Sequence, residues 1–76
     1  MPTTAKHRIV IVGQGYVGLP VSMRAVAVGY DVVGYDVDKS KIDGLKSGES
    51  HIDDVTGADV AAALDTGRFL PTSSEA

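Results

Sequence analysis

The stretch Val12 to Pro20 reads VGQGYVGLP, and within it Gly13, Gly15 and Gly18 stand at the spacing G-x-G-x-x-G. Between a strand and a helix, that spacing shapes a turn around a diphosphate. The first glycine makes the tight turn, the second lets the phosphates approach the backbone, and the third lets helix and strand pack closely. The first turn of the helix then offers unpaired amides and the positive end of its dipole to the phosphate charge. Alone, the triplet is weak evidence, because glycine-rich turns that only need to bend are common. Asp36 adds to it. It lies 18 residues beyond Gly18, close to the spacing at which a carboxylate ending the next strand receives the hydroxyls of an adenosine ribose. Its plainer role is a turn acid bonded to nearby amides. With the glycines ahead of it the ribose role leads, and a carboxylate there repels the extra phosphate of NADP, which selects NAD.

These residues need a strand, a helix and a second strand to position them, and the sequence predicts all three. RIVIV, from Arg8 to Val12, is a β-branched run that stops at Gly13, as a strand covered on both faces does. After the glycines, Val17, Val21, Ala25 and Val28 recur at helical spacing and Gly29 ends the helix. A second row, Leu19, Met23 and Val26, makes this helix apolar nearly all round, so neighbours are expected on more than one side. Pro20 falls in the first turn, where it costs no hydrogen bond. DVVGYD, from Asp31 to Asp36, is the second strand.

Beyond it, Ser40 with Asp43 predicts a helix start and Gly48 its end, and Thr56 with Asp59 predicts a third helix ending at Gly67. RFLPTSS holds a short strand that Pro71 restricts to an edge or a strand end. Asp38, Asp53 and Asp54 read as turn and cap residues, and Arg68 has no assigned task. The order β-α-β-α-α-β implies an α/β fold, part of a Rossmann-like doubly wound parallel sheet. Right-handed crossovers that all step one way place their helices on one face. Ile9 and Ile11 point to one side of the first strand and Val10 and Val12 to the other, so one apolar set is left uncovered. We therefore expect residues 1–76 to be the N-terminal portion of an NAD-binding domain that opens a larger protein.

Composition narrows the classes. The chain has 76 residues, no cysteine and a net charge of -3, with its cations scattered singly. That excludes disulfides, thiolate zinc and a cysteine nucleophile within these residues, and argues against nucleic acid as a partner. His7 and His51 stand apart without metal-ligand spacing. No apolar run is long enough to cross a bilayer, and MPTTAKHRIVIVG lacks the features of a secretory signal, so a cytoplasmic location and no membrane partner are expected.

IVGQGYVGLP followed by VVGYDVDKSKIDGLKSGES resembles the N-terminal segment of the UDP-glucose/GDP-mannose dehydrogenase family. The most specific part is G-x-G-Y-V-G-L-P, in which Tyr16, Val17, Leu19 and Pro20 go beyond what dinucleotide folds in general require. The resemblance implies that Tyr16 and Val17 join Gly13, Gly15 and Gly18 at the cofactor. It also implies that Lys41, otherwise a solvated helix lysine, contacts the adenosine ribose together with Asp36. Family members oxidise the C6 alcohol of a nucleotide sugar to a carboxylate with two NAD in succession, through a covalent intermediate on a cysteine. The implied partners are the nucleotide sugar, bound by domains beyond these residues, and a second copy in a homo-oligomer. None of the family's catalytic cysteine, lysine or asparagine positions falls within residues 1–76. The segment HIDDVTGADVAAALDTGRFLPTS, in place of a Y-E-P-G-L type motif, looks more like the branch acting on UDP-N-acetylated hexosamines. Two alternatives share the glycines and the acid: another dehydrogenase of 3-hydroxyacyl-CoA or hydroxyacid type, and a non-catalytic NAD-sensing domain.

Overall fold

The computed structural model describes residues 7–73, so the reading of residues 1–6 lies outside the described residues. Six elements follow one another: β1 (Arg8–Val12), α1 (Gly18–Ala27), β2 (Asp31–Tyr35), α2 (Lys39–Lys46), α3 (Gly57–Asp65) and β3 (Phe69–Thr72). This is the expected β-α-β-α-α-β order. The strands form one parallel sheet in the order β1-β2-β3. Arg8 to Val12 lie opposite Asp31 to Tyr35, and Val32 to Tyr35 lie opposite Phe69 to Thr72. Pro71 sits in β3 at the sheet edge, where its missing amide removes no bond to a further strand.

Because the strand period is two, the register sorts residues by face. Ile9, Ile11, Val32, Gly34, Phe69 and Pro71 turn toward the helices and are buried or half-buried. Val10, Val12 and Leu70 turn the other way and keep 60%, 75% and 58% of their surface exposed. The expected bare face is therefore present among the described residues. On the covered face Leu19, Val32, Ile42, Leu45 and Val60 are buried almost completely. Each buried aliphatic side chain of this size contributes roughly 1.5–3 kcal/mol.

Two expectations about helices need correction. In α1 the buried stripe is Leu19, Ser22, Ala25 and Val26, whereas Val17, Val21 and Val28 are exposed. The helix packs on one side only, with a face that includes a serine, because contacts at Gly18 set its rotation. In α2 the cap is Asp38 rather than Ser40. The Asp38 carboxylate accepts from the amides of Ser40 and Lys41 and from the Ser40 hydroxyl, so Ser40 lies inside the first turn. Asp43 instead pairs with Lys39 at 3.0 Å. The Thr56–Asp59 capping box of α3 forms as expected, with both reciprocal bonds. Arg68 acquires a task, its Nη2 donating to the Val26 carbonyl at the end of α1.

Candidate functional site

The three glycines are needed for different reasons: Gly18 has no room for a Cβ, Gly13 has room but a positive φ, and Gly15 has room and no positive φ. Gly13 turns the chain out of β1 at φ 91°, and its amide donates to the Tyr35 carbonyl at 2.6 Å, tying the turn to β2. At Gly18 a Cβ would lie 1.6 Å from the Gly13 carbonyl oxygen, so only glycine lets the start of α1 rest on the end of β1. At Gly15 a Cβ would meet nothing within 4 Å. The last of these is an unfilled cradle, and a hollow of about 460 Å³ opens there between the glycines and Ile11, Val12, Val17 and Val21. Val17 lines it, and both Val17 and its neighbour Tyr16 are largely exposed.

The start of α1 differs chemically from that of α2 and α3. Val17 stands at its N-cap without a side-chain hydrogen bond, and no acid occupies the first turn. Among the described residues the amides of Gly15, Tyr16 and Val17 find no acceptor within the chain. Such amides, at the positive end of a helix dipole and free of competing negative charge, suit an anion.

Gln14, the residue between the first two glycines, is fully buried and holds the turn in shape. Its Nε2 donates to the carbonyls of Ile11 and Gly13 at 2.9 and 3.0 Å, and its Oε1 accepts from the Ser22 hydroxyl at 2.9 Å. Its amide donates to Asp36 Oδ2 at 2.8 Å, and its carbonyl lies 2.6 Å from His51 Nε2. Every polar group of Gln14 thus has a partner, as a buried amide requires. Gly34 makes the room, since a Cβ there would lie 2.7 Å from Gln14 Oε1 and 2.9 Å from the Phe69 ring.

Asp36, the first residue past β2, is buried. The amides of Gln14 and Asp38 donate to its two oxygens at 2.8 Å each. These two bonds hold its carboxyl below the usual range; burial opposes them and the charge of Lys41 reinforces them. The group is an ionised acceptor at neutral pH, suited to sugar hydroxyls and hostile to a phosphate. Gly13, Gly15, Gly18, Asp36 and Lys41 therefore gather at the carboxyl ends of β1 and β2, with Val17 lining the hollow and Tyr16 beside it in the chain. The two bonds also make Asp36 part of the turn's scaffold, so its removal does not spare the loop.

The sequence reading passed over Gln14, Ser22, Gly34 and His51. One signal was available, an isolated glycine inside β2, which marks a close approach of another group. Nothing local announces Ser22 and His51, whose shared partner Gln14 lies 8 and 37 residues away, or the burial of Gln14 that brings it to them.

A sequence model of the NAD-binding domain of the UDP-glucose/GDP-mannose dehydrogenase family matches residues 7–76. The chain is 47% identical over 45 residues to the UDP-N-acetyl-D-mannosamine dehydrogenase of Pyrococcus horikoshii, a match taking in 59% of this chain and 11% of that protein. It is 40% identical over 47 residues to the protein of the same name from Methanococcus maripaludis, again spanning 11% of the relative's length. The solved UDP-D-ManNAc dehydrogenase of Pyrococcus horikoshii superposes with a TM-score of 0.81 at 35% identity, covering 88% of this chain and 16% of that one. A UDP-glucose dehydrogenase from Pyrobaculum islandicum gives 0.79 at 28% identity, covering 97% and 18%.

Proposed function

Because the chain belongs to the UDP-glucose/GDP-mannose dehydrogenase family, we propose that it forms the adenosine-binding portion of the NAD site in a UDP-sugar 6-dehydrogenase. In this reading the amides of Gly15, Tyr16 and Val17 grip the pyrophosphate, while Gly13 and Gly18 hold the turn that presents them. Asp36 accepts from the ribose hydroxyls and Lys41 supports it. NAD, when bound, supplies the hydride acceptor. The chain's own residues bind and orient its adenosine half and reject a phosphate on the ribose. The sugar proposed is a UDP-N-acetylhexosamine of the mannosamine type, oxidised at C6 to a carboxylate with two NAD. The names of the Pyrococcus horikoshii and Methanococcus maripaludis relatives and the HIDDVTGADV segment support that choice. The sugar site, the sugar chemistry and the pairing of copies are assigned to parts of the protein beyond these residues, and the location to the cytoplasm.

The observation that carries the NAD reading is the contrast between Gly18, where a methyl group has no room, and Gly15, where it would enter the open cradle. Calorimetric titration of the purified protein that contains this segment tests it. NAD and ADP-ribose should bind, and NADP at least about tenfold more weakly, since a like charge beside Asp36 costs on the order of 1.4 kcal/mol or more. Absence of heat with both NAD and ADP-ribose would refute the reading. Supplied with NAD, the protein containing this segment should oxidise UDP-N-acetylmannosamine in preference to UDP-glucose. The reverse preference would overturn the choice of sugar alone.

A further inference from the structure

We infer that His51, in the loop between α2 and α3, is a positioning residue for the pyrophosphate grip, acting through the carbonyl of Gln14. The inference rests on the NAD reading and adds to it a residue from a different part of the chain.

The Gln14 carbonyl can only accept, so His51 Nε2 carries the proton of the 2.6 Å contact between them. That carbonyl belongs to the same planar unit as the amide of Gly15, and the described chain contains no cis peptide bond. In a trans unit the carbonyl and the following amide point in opposite directions. A hydrogen bond that holds the carbonyl toward His51 therefore holds the Gly15 N–H away from it. Among the described residues no group accepts from that N–H, and Gly15 lines the cradle. The preceding unit is fixed in the same way from its other end, because the Gln14 amide is bound to Asp36 and the Gly13 carbonyl to Gln14 Nε2. His51 thus fixes the next peptide plane, the one that carries the Gly15 amide.

The loop is built to present the imidazole. Ile52 and Val55 are buried and anchor it to the core. Ser50 brackets His51, its hydroxyl accepting from the Ile52 amide at 3.1 Å and donating to the Ile52 carbonyl at 3.0 Å. The His51 side chain itself stays exposed, so replacing it leaves the core closed. Without it, the Gln14–Gly15 plane is free to rotate, and the Gly15 amide must be reoriented each time a diphosphate binds.

The test compares His51→Phe, which keeps a ring without the donor, His51→Ala, and His51→Gln, whose terminal amide can reach the carbonyl. Affinities for ADP-ribose and for adenosine, which lacks phosphates, are measured by calorimetry on the whole protein that contains this segment. Loss of one neutral hydrogen bond predicts about three- to tenfold weaker ADP-ribose binding in the Phe and Ala variants. The Gln variant should stay within about twofold of the parent, and adenosine binding should be unchanged in all three. ADP-ribose affinity unaltered in both the Phe and Ala variants would overturn the inference, as would equal losses for ADP-ribose and adenosine, which would make His51 a general staple of the loop. If the unaltered protein binds neither ligand, the NAD reading itself fails and the role of His51 with it.

Discussion

Replacing Gly18 and Gly15 by alanine, one at a time, separates the glycine that the fold needs from the one that the ligand needs. A methyl group at position 18 would lie 1.6 Å from the Gly13 oxygen and 2.7 Å from its carbonyl carbon, where ordinary contact begins near 3.4 Å. The two backbones must therefore separate by about 1.8 Å. Gly13 cannot retreat alone. Its amide is bound to Tyr35 and its oxygen accepts from Gln14 Nε2. Overpacking costs about 1–3 kcal/mol, and each of these two hydrogen bonds, if lost on the way, adds about 0.5–1.5 kcal/mol, so at least about 2 kcal/mol is expected. In a domain of this size that lowers Tm by about 8 °C or more. At Gly15 a methyl group meets nothing within 4 Å and φ is not positive, so Tm should stay within about 4 °C of the parent. The same methyl group enters the cradle, and NAD binding should weaken at least about tenfold. Thermal unfolding by circular dichroism, with calorimetric NAD titration of each variant, reads both quantities. A Gly18→Ala protein melting within about 4 °C of the parent, or a Gly15→Ala protein binding NAD normally, would refute the division of roles.

Two further outcomes follow from the same geometry. The lowered pKa of Asp36 means that its contribution to stability is fully present above the ordinary carboxylate value of 3.8 and is lost as pH falls through the lower folded value. Asp36→Asn should lower stability at pH 7 by about 1–3 kcal/mol, because its amide group faces one of the two backbone donors, of which that of Gln14 is buried, and should flatten the acid limb of the urea-unfolding profile; an acid limb as steep as the parent's would contradict this. The exposed row of Val10, Val12 and Leu70 should make the 76-residue chain associate at high concentration or be poorly stable alone. Lysine at Val12 and Leu70 should suppress the association. A well-folded monomer of the unaltered chain in sedimentation velocity would count against the bare face as a cause.

Local pattern determined a large share of this protein. The alternation of β-branched runs with helical spacing set the element order. The helix-ending glycines marked the ends of the helices, and the capping box at Thr56 and Asp59 was legible because its partners lie three residues apart. The glycine triplet and Asp36 announced a ligand because backbone conformation and charge are properties of single positions. Tertiary structure decided what depends on how elements are set against one another. Val17, Val21, Ala25 and Val28 satisfy the helical period as well as the observed stripe does. It is the pressing of Gly18 onto the Gly13 carbonyl that rotates Leu19 and Ser22 toward the sheet. Asp38 and Ser40 are both competent caps, and the choice fell to Asp38, whose amide is already fixed by Asp36. The network of Gln14, Ser22, Gly34 and His51 exists only once β2 lies in register beside β1 and the α2–α3 loop folds back over the turn. A hydrogen bond joining residues 37 positions apart leaves no trace in local spacing, because the distance that matters to it is through space.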